Sequence, residues 1–144
     1  KQKSLENIER TGEFGVNIPD MSMIEKMVEC SYSTKFGENK FERSCFTRLP
    51  SVYIKPPCIE EGMASMECKV LDMIDTGDHT LIIADIIYAR YNEEAYSPNL
   101  LIKIPKFRPV IHLQNFNLEK SQVHVFLSSD STETVEVPYP TKKE

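Results

Sequence analysis

Two long apolar runs dominate the chain, Met63–Ile74 and Thr80–Tyr91, separated by Asp75-Thr76-Gly77-Asp78-His79. In the first run Ala64, Met66, Cys68, Val70 and Ile74 share one parity, while Ser65, Glu67 and Lys69 take the other. Alternation at period two predicts a strand with one buried and one wet face. The second run is apolar on both parities apart from Asp85, which predicts a central strand covered on both sides. A short loop containing Gly between two such runs predicts a β-hairpin.

Upstream, Leu5 and Ile8 lie three apart, behind Ser4 as a natural N-cap and ahead of Gly12 as a helix stop. Phe14, Val16 and Ile18 then alternate as in a strand, until Pro19-Asp20 breaks it. Met23, Ile24, Met27 and Val28 form a stripe at helical period, and Ser22 and Glu25 have capping-box spacing, which predicts a helix over Ser22–Cys30. A polar loop, Ser31–Asn39, leads to a short helix at Lys40–Ser44. Prolines at 50, 56 and 57 bracket a short extended piece, Ser51–Ile54. Beyond the hairpin, Leu100–Val110 is apolar but interrupted by Pro105 and Pro109, and Val123–Leu127 and Thr134–Val137 read as short strands around a polar turn.

A chain of 144 residues suits one domain, taken here as 1–144, with a real core. The net charge of −5 offers no basic face for nucleic acid. No run approaches the roughly 18 apolar residues of a membrane span, so no membrane partner is expected. Cys30, Cys45, Cys58 and Cys68 are scattered without a Cys-x-x-Cys pair, which argues against zinc and for reduced thiols in a cytoplasmic protein. The chain opens at Lys1 and enters a helix almost at once, so it reads as a fragment.

The candidate chemistry is anion binding. Ser4 at a helix start, with Lys1 and Lys3 beside it, can seat a phosphate; a capped helix alone would use the same residues. Lys40 opposes the dipole of the helix it begins, a choice an anion nearby would explain, and a solvated lysine is the alternative. His79, at the hairpin turn, can bond to a ligand carbonyl or stack on a flat ring, or bond to a neighbouring carbonyl. His112 and His124 have weaker cases.

The same positions carry a resemblance. Thr11-Gly12-Glu13-Phe14-x-Val16-Asn17-Ile18-Pro19, Gly37-x-x-Lys40-Phe41-Glu42, Lys55-Pro56-Pro57-x-Ile59, Glu67-Cys68-Lys69-Val70 and Gly77-Asp78-His79-Thr80-Leu81 occur in order from Ser4 to about Leu113. Together they resemble the flavin reductase-like family, the FMN-binding split β-barrels that include flavoredoxin. The resemblance implies a mainly β Greek-key split barrel with short helices, assembled as a homodimer with FMN at the subunit interface. It also implies barrel strands upstream of Lys1. By the resemblance Ser4, Lys40 and His79 contact the flavin; Lys3, as the cation flanking Ser4, is expected to assist at the phosphate. The implied activity is NAD(P)H-dependent flavin reduction, with NADH or NADPH as transient substrate. An FMN electron carrier served by a redox partner protein, or a dimeric barrel that has lost flavin, are the alternatives.

Overall fold

In a computed structural model, residues 3–31, 38–103, 107–118, 121–128 and 134–138 are described. Lys1, most of the expected Ser31–Asn39 loop, Pro105 and the polar turn before Thr134 lie outside them. The chain divides into two compact units, Lys1–Ile18 with Arg48–Tyr91 and Pro19–Thr47 with Asn92–Glu144.

In the first unit, helix α1 (Lys3–Thr11) ends where Gly12 takes φ +67° and its N–H donates to the Ile8 carbonyl at 2.8 Å. That is the left-handed stop glycine supplies at least cost. Strand β1 (Glu13–Ile18) follows, then the short pair β2 (Arg48–Leu49) and β3 (Cys58–Ile59), then β4 (Ala64–Asp75) and β5 (Thr80–Tyr91). The main sheet is antiparallel in the order β1-β4-β5, with Phe14 opposite Cys68, Val16 opposite Met66 and Ile74 opposite Leu81. The expected hairpin is therefore present at its predicted turn. Beyond Lys69, β4 outruns β1, and the outer half of the hairpin is a two-stranded arm among the described residues.

Four expectations for this unit are corrected. Ser65 and Glu67, assigned to the wet face, are both buried; the segment Ser51–Pro57, expected to be extended at Ser51–Ile54, instead bends and hangs its amides on the Glu67 carboxylate. Ile74 is exposed and Met73 half-buried, because a register shift between Val70 and Asp72 exchanges the faces beyond it. Strand β5 is an edge strand, with Leu81 53% and Ile86 60% exposed. Its apolar run measures what the strand can bury, and periodicity does not count the partners that do the burying.

In the second unit, Asp20 opens a short 3₁₀ turn, Met21–Met23, that runs into α2 (Ile24–Ser31). The expected cap was Ser22; the actual cap is Asp20, whose Oδ1 accepts from the Ser22 N–H at 2.8 Å. Its other oxygen accepts from Arg108 N at 2.6 Å, so one carboxylate ties the helix entry to the chain before β6. Burial alone would push the Asp20 carboxyl up, but the Arg108 and Ser22 amides outweigh it and hold the pKa below the ordinary value. Helix α3 (Lys40–Ser44) begins as expected, capped by Asn39, whose side chain accepts from Phe41 N at 3.0 Å. Met21, Ile24 and Val28 form a core cluster against Val110. A second antiparallel sheet, β6 (Val110–Leu118), β7 (Ser121–Ser128) and β8 (Thr134–Pro138), has the order β6-β7-β8. Strands β7 and β8 match the sequence pattern; β6 was hidden by its polar centre, Gln114-Asn115-Phe116-Asn117.

Candidate functional site

The hairpin turn is built by short-range chemistry. Asp75 Oδ1 accepts from Gly77 N at 2.9 Å, and Thr76 donates to the His79 carbonyl through N at 2.9 Å and Oγ1 at 2.8 Å. Gly77 sits at φ +99°, a conformation that a side chain would strain. The turn thereby sets Asp78 and His79 side by side, with His79 Nδ1 2.8 Å from Asp78 Oδ1. Both side chains reach well into solvent, 83% exposed for His79 and 88% for Asp78.

Helix α1 and this hairpin border an open hollow of about 750 Å³, within the usual size range of small-molecule sites. From α1 come Ser4, Leu5 and Ile8; from β5 come Thr80 and Ile82. The turn contributes Asp75, Gly77, Asp78 and His79. Leu5, Ile8 and Ile82 give the hollow an apolar component on which a planar ring can lie, and hydroxyls, carboxylates and an imidazole surround it. Ser4 and His79, 75 positions apart in the chain, thus line one space. Ser4 is not the cap: the helix begins at Lys3, so Ser4 occupies its first turn, where N–H groups lack intrahelical partners. Lys3 is exposed beside it and is not among the lining residues.

Lys40 belongs to the other unit. There its ammonium donates to the Cys30 carbonyl at 2.6 Å, in the last turn of α2, where a cation complements the helix dipole. Two of its three N–H donors are left for other acceptors. His112 and His124 fall on β6 and β7.

Sequence reasoning missed a second arrangement in the first unit. Glu67, 1% exposed, accepts hydrogen bonds from the amides of Val52 (2.7 Å), Tyr53 (2.7 Å) and Ile54 (3.2 Å). Arg90 Nη2 approaches the same carboxylate at 3.4 Å and donates to the Pro50 carbonyl at 2.7 Å. Burial alone would raise the Glu67 pKa; the three amides and then the guanidinium overcome it and hold the carboxyl below its usual value. The Arg90 guanidinium also lies 5.7 Å from the Tyr88 ring, and Tyr53 meets Tyr88 edge-on at 5.6 Å. The available signal was a lone Glu inside an apolar strand, which parity alone sends to solvent. Nearby Cys58 and Cys68 are buried free thiols; burial, and then the neighbouring Cys58, push the Cys68 thiol up and away from reactivity.

A mainly β chain with short helices and a hollow between its first helix and its central hairpin has counterparts among solved structures. It superposes on a flavoredoxin from Methanosarcina acetivorans with a TM-score of 0.73 at 20% identity, covering 92% of this chain and 66% of that one. It superposes on the Pseudomonas fluorescens 2-nitrobenzoate 2-nitroreductase NbaA with a TM-score of 0.71 at 24% identity, covering 96% of this chain and 66% of that one. The expected fold class, a split barrel of the FMN-binding type with a few short helices, is the fold these structures represent.

The chain belongs to the flavin reductase-like family, whose domain it matches over residues 1–110. An uncharacterised protein of Pyrococcus abyssi is 35% identical over 96 residues, 65% of this chain and 55% of that protein. An uncharacterised protein of Archaeoglobus fulgidus is 31% identical over 86 residues, 60% of this chain and 49% of its own length. The chain spans about half the length of the curated relatives it matches. Among the described residues no helix is long and apolar enough to cross a membrane.

Proposed function

We propose that the chain is part of an FMN-binding oxidoreductase, an NAD(P)H-dependent flavin reductase. The observation that carries this reading is the hollow between α1 and the hairpin, which Ser4 and His79 both line together with Leu5, Ile8 and Ile82. FMN, when bound, supplies a ring that accepts a hydride from NADH or NADPH, chemistry that belongs to the cofactor. This chain's own residues bind and orient. Ser4 and the free amides of the first turn of α1 take the phosphate, with Lys3 as the adjacent cation. Leu5, Ile8 and Ile82 receive the ring and exclude water from its face, and His79 bonds at its edge.

The protein works in the cytoplasm, without membrane or nucleic-acid partners, as a homodimer. The long apolar edge strand β5, with Leu81, Ile83 and Ile86 open to solvent, supports a second copy. The test is direct. Purified protein binds FMN, absorbs at about 450 nm, and oxidises NADH or NADPH only when flavin is present. His79→Ala weakens FMN binding by about tenfold, the loss of one hydrogen bond; full affinity in this variant removes the assigned site. FMN binding without nicotinamide oxidation assigns the chain to electron transfer with a redox partner protein. Protein that binds no flavin ends the reading.

A further inference from the structure

The hollow is unevenly charged. Its turn end carries Asp75 and Asp78, and among the described residues no Lys or Arg lines it. The α1 side contributes only uncharged side chains, Ser4, Leu5 and Ile8, so Asp75 and Asp78 are the titratable neighbours of His79 there. Asp75 is occupied by Gly77 N, whereas Asp78 faces His79 Nδ1 at 2.8 Å. A carboxylate only accepts, so Nδ1 must carry the proton. In the neutral ring, Nε2 is then an acceptor.

We propose that Asp78 is a positioning residue that fixes this tautomer, so that the corner formed by Asp78 and His79 takes the N–H edge of a planar heterocycle and turns phosphate away. The proposal rests on the flavin reading above and deepens it. Two carboxylates at the turn repel a dianion, whereas the N-terminal turn of α1 directs amide N–H groups outward with Lys3 beside them. An anionic group is therefore directed to the helix end, and a hydrogen-bond-donating ring edge, such as the imide of a flavin, to the turn.

Two measurements on the full chain decide it. Nitrogen chemical shifts of the neutral His79 ring show the proton on Nδ1, and Asp78→Asn moves it towards Nε2. A wild-type ring protonated on Nε2 overturns the proposal. Riboflavin and FMN are then titrated against wild type, Asp78→Asn, His79→Gln and the double variant. Asp78→Asn weakens both flavins by the same factor, about five- to tenfold, as expected for one misdirected hydrogen bond, and has no effect in the His79→Gln background. Selective tightening of FMN by Asp78→Asn would mean that phosphate sits at the turn, and an undiminished effect in the His79→Gln background would mean that Asp78 does not act through the imidazole; either overturns it. Wild type that binds neither flavin removes the flavin reading and the ring-edge half of the proposal together. The ring shifts still decide the Asp78–His79 couple.

Discussion

Replacing Glu67 with Gln keeps the shape of the side chain and removes its charge, which isolates what the buried carboxylate does. The carboxylate now serves three amide donors, Val52, Tyr53 and Ile54, and faces the Arg90 guanidinium. A glutamine offers one carbonyl oxygen, and its NH₂ turns a donor towards donors. Val52 N bonds to Oε1 while Tyr53 and Ile54 share Oε2, so either the Val52 amide or the Tyr53 and Ile54 amides lose their acceptor. Each such loss costs about 1–3 kcal/mol, and breaking a buried charge pair costs about 3–5 kcal/mol. Because Arg90 remains partly exposed and rehydrates, the expected destabilisation is about 2–4 kcal/mol, a large part of a typical domain's stability.

The assay is equilibrium urea unfolding at about pH 7 and about pH 4. The folded-state pKa of Glu67 is depressed, so its contribution is present above the unfolded-state pKa and is lost as pH falls through the folded one. Wild type should therefore lose stability towards acid more steeply than Glu67→Gln, and the gap between them should narrow. Amide exchange at Val52, Tyr53 and Ile54 should accelerate in the variant even under conditions where the rest of the sheet stays protected. A variant within about 0.5 kcal/mol of wild type at neutral pH, the range of ordinary surface changes, would refute the strapping role.

Asp20→Ala removes a cap and the tie to Arg108 N. It should cost about 1–2 kcal/mol in denaturant unfolding, and since the Asp20 pKa is depressed, the difference from wild type should shrink as pH falls through that value. Gly77→Ala places a β-carbon at φ +99° with no atom within 4 Å to clash, so it should lose only the backbone strain, about 1–2 kcal/mol by thermal or urea melting. Val28→Ala opens a hole beside Met21 and Ile24 and should lose about 2 kcal/mol in the same unfolding assay.

Local elements were legible in the residues because their causes are local. Gly12 ends α1, Asn39 and Lys40 begin α3, and the Asp75–His79 turn joins two apolar runs at the predicted place; each depends on neighbours within a few positions. The family strings were legible for the same reason, being short and in order. Cap identity failed by two residues, because Asp20 was read as part of the Pro19-Asp20 break and its second partner, Arg108, is 88 residues away.

What the chain alone determined is the set of elements and the residue types available for chemistry, since period and turn composition act through adjacent backbone. Tertiary structure decided which faces are wet. Parity sent Glu67 outward, but Ser51–Pro57 folds back over it and turns a surface carboxylate into a buried anchor. Only the folded hairpin and helix bring Ser4 into the same hollow as Asp78 and His79. No pattern along the sequence records a distance between residues 75 positions apart, because that distance is set by how the intervening sheet is paired and bulged.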